Sequence, residues 1–237
     1  MEKKLKNTKK NTPKKEGAGS KPASKDSEKE AVKGVYIFLG LLIAVVAFAV
    51  LFPFFRNQLN HFEFQGLAFT KTKFGEIPVY YYYYNFKDAS NAIYKYNLYL
   101  RVDPRKNEVP VFGEIVYPGL KKRVYASLNF SKEFICGNSS RDLLTLGMFL
   151  AGNLYDVKSG VVNKTLAKET NQTYVDCESK SNSMVIVLEN GEKTQILKVN
   201  DNCYYIYVSD CPSLLYAVEK FEVQSLIDAK KRILSTR

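Results

Sequence analysis

From Gly34 to Phe55 the chain reads GVYIFLGLLIAVVAFAVLFPFF, 22 residues without a charge. As a helix at ~1.5 Å per residue it reaches about 33 Å, enough to cross a hydrocarbon core of about 30 Å. Its glycines and β-branched residues are no obstacle there, because in lipid a backbone must satisfy its own hydrogen bonds and a helix does so. Pro53 falls near the outer end, where a broken last turn does little harm. The expectation is a transmembrane helix over residues 34–55.

The flanks set its direction. Residues 1–33 hold eleven lysines, five acidic residues and one leucine, a net charge of +6. Such a segment lacks the apolar surface to offset the entropy of ordering, so a disordered tail is expected. Beyond Phe55 only Arg56 precedes Glu63. The positive-inside rule then keeps the N-terminus cytoplasmic and exports the C-terminal part, as a single-pass protein of the cell membrane. Ala47-Phe48-Ala49 resembles a signal-peptidase site, but apolar residues continue past it and the charged region before it is long for a signal peptide. The balance favours an uncleaved signal anchor, with the lipid bilayer as the first partner. The whole chain is +11, so more than half of its charge lies in the tail and no nucleic-acid partner is expected. The tail also suits contact with anionic lipid, at about 1 kcal/mol per basic residue. Fixing the orientation is its plainer role.

Residues 56–76 read as a membrane-proximal linker whose Leu59, Phe62, Phe64, Leu67 and Phe69 suit either a first strand or an interfacial stretch. Residues 77–237 read as one exported domain. Tyr80 to Phe86 and the alternating IYKYNLYLRV read as a hairpin. Asp103 to Pro110 is turn material, and RVYASLNF, Arg123 to Phe130, is a further strand. SSRDLLTLGMFLAGNLY shifts to helical spacing, opened by Ser139 and Asp142 at capping-box distance. SMVIVLE, TQILKV and CYYIYVS read as an up-down-up meander, with Asn190-Gly191 as the first hairpin turn. A last helix starts at Ser209 or Asp210 and carries Leu214, Val218, Phe221 and Leu226 along one face. The fold class expected is α/β or α+β, a mixed sheet with two helices.

Tyr80 to Tyr84 is an uninterrupted run of tyrosine. Along a strand Tyr80, Tyr82 and Tyr84 share one face, and Tyr81 and Tyr83 the other. An ordinary strand near a sheet edge accounts for the run. If it is also a binding surface, Tyr81, Tyr83, Tyr99 and Arg101 are its expected members, and a glycan or a protein of the envelope its partner.

All four cysteines lie beyond the apolar stretch, an arrangement that reads as two disulfides on an exported domain. An extended run from Cys203 to Cys211 spans about 26 Å, far beyond the ~7 Å limit between bridged Cα atoms. Cys177 and Cys203 both precede "up" strands. Cys136 and Cys211 both follow a strand and precede a helix. Hence Cys177–Cys203 with Cys136–Cys211 is expected, with Cys136–Cys177 and Cys203–Cys211 left for a bent last strand. Sequons stand at Asn129, Asn138, Asn163 and Asn171, all on the outer side and therefore candidates for glycosylation.

Familiar catalytic patterns are missing. His61 is the one histidine, which excludes His-pair zinc sites and leaves any Ser-His-Asp triad a single choice. G-x-S-x-G, H-E-x-x-H, G-x-G-x-x-G, P-loop and C-x-x-C motifs do not occur. No metal and no cofactor are expected.

YNLYLRVDPRKNEVPVFGEI and NCYYIYVSDCPSLLYAVEKF, with Leu100, Asp103, Pro104, Arg105 and the cysteine arrangement, resemble single-pass envelope proteins of archaea, particularly of small-genome lineages. The resemblance implies an anchored, outward-facing domain and carries no activity with it. The function expected is an extracytoplasmic interaction or assembly module. The alternative is an anchored enzyme, either a carboxylate-based hydrolase or one using Cys136 as a free thiol.

Overall fold

The computed structural model describes residues 25–88, 90–119, 122–130, 139–180 and 182–235. They belong to two compact units, Met1–Phe55 and Arg56–Arg237. The first is dominated by helix α1 (Lys25–Leu59). Its Val35–Phe52 stretch has a mean hydropathy of 3.0 and no buried residue, the length and composition of a membrane anchor or a signal sequence. The helix begins earlier than Gly34 and outlasts Phe55. Once the apolar stretch has nucleated a helix, adding flanking Lys, Glu and Ala residues costs little. The expectation of a disordered tail therefore fails for residues 25–33, while residues 1–24 lie outside the described residues. Pro53 is inside α1 rather than at its end.

In the second unit, β1 (His61–Phe64), β2 (Leu67–Phe74), β3 (Ile77–Lys87) and β4 (Ile93–Leu100) form an antiparallel sheet in sequence order. Residues 61–74 are thus two strands of the domain and not a linker. Leu67 and Phe69 are each 1% exposed, and burying them holds β2 on the core. Gln65 and Gly66, with φ of 49° and 82°, make the left-handed pair of a tight hairpin turn.

The second sheet comprises β5 (Val111–Phe112), β6 (Arg123–Asn129), β7 (Asp156–Val161), β8 (Met184–Asn190), β9 (Gln195–Asn200) and β10 (Cys203–Val208), in the order β5-β9-β10-β8-β6-β7. Strands β7, β6, β8 and β10 run parallel, and β9 runs against β10. The sequence predicts one mixed sheet and the structure has two. It also contradicts the meander: β10 lies between β8 and β9, and Asn190-Gly191 starts a crossover instead of a hairpin. Burial explains the order. Met184 to Leu188 are all buried, so β8 needs neighbours on both edges and cover on both faces. Strand β9 ends in exposed Val199 and Asn200, and the more apolar β10 fills the central place.

Helices α2 (Ser139–Gly152), α3 (Lys164–Glu169) and α4 (Cys211–Ser235) complete the unit. The short α3 was not anticipated and raises the expected two helices of the domain to three. Asp210 caps α4, its Oδ1 accepting from the Ser213 N–H at 2.8 Å and the Ser213 hydroxyl at 2.6 Å. Alternation divides the core between the faces of the second sheet. Met184, Ile186, Leu188, Tyr204, Ile206 and Val208 pack with Leu214, Val218 and Phe221 of α4 and with the first sheet. Val185, Val187 and Cys203 pack on the other side with Tyr125 and Val175. There Cys177 and Cys203 are bridged, with Cα atoms 5.5 Å apart. The bridge survives the corrected topology because β8 and β10 run the same way in either arrangement. Cys211 is also disulfide-bonded. Cys136, the partner expected for it, lies outside the described residues.

Candidate functional site

The hairpin β3–β4 puts Tyr81 opposite Tyr99 and Tyr83 opposite Asn97, while β2 puts Thr70 opposite Tyr81. Strand alternation then sends Tyr80, Tyr82 and Tyr84 toward the core and leaves Tyr83 and Tyr99 52% and 56% exposed. The outward rings touch one another. Tyr81 and Tyr99 have centroids 5.1 Å apart, and Tyr81 and Tyr83 stack at 6.0 Å. The Tyr81 hydroxyl donates to Asn97 Oδ1 at 2.9 Å, and Lys95 Nζ stands 4.3 Å above the Tyr83 ring. An aromatic pavement is thereby fixed on a sheet rather than on a loop.

Beside it runs an open groove of about 770 Å³, lined by Tyr81, Tyr99, Arg101, Thr70, Thr72, the hairpin-tip residues Phe74 and Ile77, and Thr145 of α2. Of the four surface residues read from the sequence, Tyr81, Tyr99 and Arg101 line this groove and Tyr83 extends it by stacking. The contributions of Thr70, Thr72, Phe74 and Thr145 were missed. They come from a stretch read as a linker and from a helix distant in sequence.

Arg101 is held from below. Its Nη2 lies 2.5 Å from Asp142 Oδ1 on α2, and its Nε lies 3.7 Å from Glu219 Oε1 on α4. Glu219, 1% exposed, also accepts the backbone N–H groups of Arg101 and Val102, each at 2.8 Å. Burial pushes the Glu219 carboxyl up to about 7, against the opposing pull of the two N–H groups and the Arg101 charge. Asp142, expected at a capping-box position, thus accepts from Arg101. With its charge answered by carboxylates, Arg101 offers directional hydrogen-bond donors more than a free positive charge. Lys73 is the one groove cation without a carboxylate partner among the described residues.

The other sequence candidates are dispersed. Asp103 and Arg105 form a bidentate pair at 3.0 and 2.7 Å, with Arg105 over the Phe62 ring, so this motif closes the turn after β4. The Arg105 hydrogen bonds hold the Asp103 carboxyl below its usual range. His61 Nδ1 is 2.9 Å from Thr70 Oγ1 on the neighbouring strand. Asn129 donates to Glu189, Asn163 caps α3, Asn171 is exposed in a turn, and Asn138 lies outside the described residues. No group of three or more His, Cys, Asp or Glu side chains is placed to hold a metal among the described residues.

No protein-family model, curated protein or solved structure matches the chain. The resemblance to archaeal envelope proteins gains no support from those comparisons.

Proposed function

We propose that this chain is a single-pass membrane protein whose Arg56–Arg237 unit acts outside the cytoplasm as an interaction module of the cell envelope, binding a neutral glycan chain along the Tyr81–Tyr83–Tyr99 face. The observation that carries the reading is the contact between outward tyrosine rings on a sheet, open to a groove of about 770 Å³. Tyrosine is well suited to sugars, because its ring takes the C–H face of a pyranose and its hydroxyl the polar edge. Arg101, held by Asp142 and Glu219, supplies fixed donors. The N-in orientation rests on the lysines before α1, and the disulfides agree with an oxidising compartment.

The enzymatic alternative is weaker. The strongly perturbed carboxyls, Glu219 and Glu222, are 1% and 0% exposed and out of a substrate's reach.

The test is calorimetric titration of the full chain in nanodiscs with a panel of neutral oligosaccharides. A ligand whose affinity falls about tenfold in Tyr99→Ala, with folding intact, is the expected result; stacking of this kind is worth roughly 0.5–1.5 kcal/mol beyond area burial. Binding unchanged by Tyr99→Ala and Tyr83→Ala, or no binding across the panel, rejects the glycan reading.

A further inference from the structure

The inward face of the first sheet bounds a second cavity, of about 500 Å³, separate from the groove. Tyr82 and Tyr84 of β3 form one wall, Tyr117 and Phe149 another, and Leu226 and Ala229 of α4 the third. The volume is within the range of small-molecule sites, which usually combine apolar walls with a few convergent polar groups.

Those polar groups are present. The Tyr84 hydroxyl donates to Asn153 Oδ1 at 2.5 Å on the cavity wall. The Tyr117 hydroxyl is fully buried beside Ser225, and its ring stacks on Tyr155 with centroids 5.2 Å apart. Burial pushes the Tyr84, Tyr117 and Tyr155 hydroxyls up and keeps them protonated as donors. The interior between the tyrosine rings is therefore uncharged.

The rim has the opposite character. Lys87, Lys230 and Arg232 stand around it, and no Asp or Glu lines the cavity. Arg232 is engaged by Glu114 at 2.6 Å. Lys230 donates to the Gly66 carbonyl, which leaves its charge uncompensated. Neither Lys87 nor Lys230 has a carboxylate partner among the described residues.

We propose that this cavity binds a single-chain lipid anion, with its acidic headgroup at Lys87 and Lys230 and its apolar body between the tyrosine wall of β3 and α4. The charge pattern selects the occupant: a neutral lipid leaves the lysines unanswered, and a bare anion leaves the apolar walls empty. The site is independent of the tyrosine groove, since the two lie on opposite faces of the same sheet.

Decyl phosphate, titrated calorimetrically into the full chain in zwitterionic nanodiscs with empty nanodiscs subtracted, tests this. It is expected to bind at one site, at least tenfold more tightly than decanol or inorganic phosphate. Lys87→Glu, at an exposed strand end, weakens decyl phosphate by about tenfold, since reversal both removes an attraction and adds a repulsion of exposed-pair size, and it leaves decanol unchanged. Ala229→Phe fills the cavity and removes binding, while Tyr99→Ala does not. Equal binding of decanol overturns the proposal, as does equal binding of inorganic phosphate. Full affinity in Lys87→Glu also overturns it, and that variant decides the matter if Ala229→Phe fails to fold.

Discussion

Glu219 links the fold to the groove, and its buried carboxyl makes a specific demand on the pH dependence of stability. Its acid strength moves from an unfolded value of 4.5 to about 7 in the folded protein, chiefly through burial. A folded carboxyl weakened in this way binds its proton more tightly than the unfolded chain does. Its stabilising contribution is thus complete below about pH 4.5 and is lost as the pH rises through about 7. At ~1.36 kcal/mol per pH unit the loss is on the order of 3 kcal/mol. The groups that face Glu219 are Arg101 at the end of β4, Asp142 on α2 and Glu222 on its own helix. Glu222, pushed well up by burial, adds a slope of the same sign. Glu219→Gln isolates the first term. The amide cannot ionise, and its N–H₂ group faces one of the two backbone N–H groups that the carboxylate satisfied, a cost of roughly 1–3 kcal/mol at low pH. Guanidinium unfolding of the full chain, followed by near-UV circular dichroism of its tyrosines, should show wild-type stability falling between pH 5 and pH 8. The variant should show a fall smaller by about 2–3 kcal/mol. An identical pH dependence in the two proteins refutes the assignment of this proton to Glu219.

Phe221→Ala empties a fully buried ring site between α4, Tyr204 and Tyr117, and should cost about 3–5 kcal/mol in the same unfolding assay. Breaking the Cys177–Cys203 bridge with a Cys203→Ser, Cys177→Ser pair opens a loop with a sequence separation of 26. Chain entropy sets that loss at roughly 3.5 kcal/mol, measurable as a lower denaturation midpoint without reductant. Gly113→Ala places a Cβ 2.6 Å from Lys198 Cβ at a φ of +94°, and should lower the melting temperature through a penalty of about 1–3 kcal/mol.

What the sequence determined on its own are the features carried by local periodicity. The uncharged run Val35–Phe52 predicts a helix, and the structure has one, with the length and composition of a membrane anchor or a signal sequence. Period two in Tyr80–Tyr84 and Ile93–Arg101 separates Leu98 and Leu100 from Tyr99 and Arg101, and so the candidate aromatic face was legible before any fold was known. The distance from Cys203 to Cys211 along an extended strand disfavours one pairing, and the bridge observed at Cys203 goes to Cys177. One signal was present but unread: Glu222 lies four residues after Val218 and four before Leu226, on the apolar side of its own helix.

Tertiary structure decided the rest, because sequence periodicity does not say which strands are neighbours. Asn190-Gly191 is a good local hairpin, yet β10 takes the place next to β8, where its apolar residues are covered on both faces. Residues 61–74 have a strand pattern but become a wall of the groove only because β3 pairs with them. Arg101 is fixed by Asp142 and Glu219, residues 41 and 118 positions away, and the cavity behind Tyr84 exists only where α4 and the loop at Tyr117 fail to cover the sheet. Burial is a property of the whole packed chain, and no short window of sequence contains it.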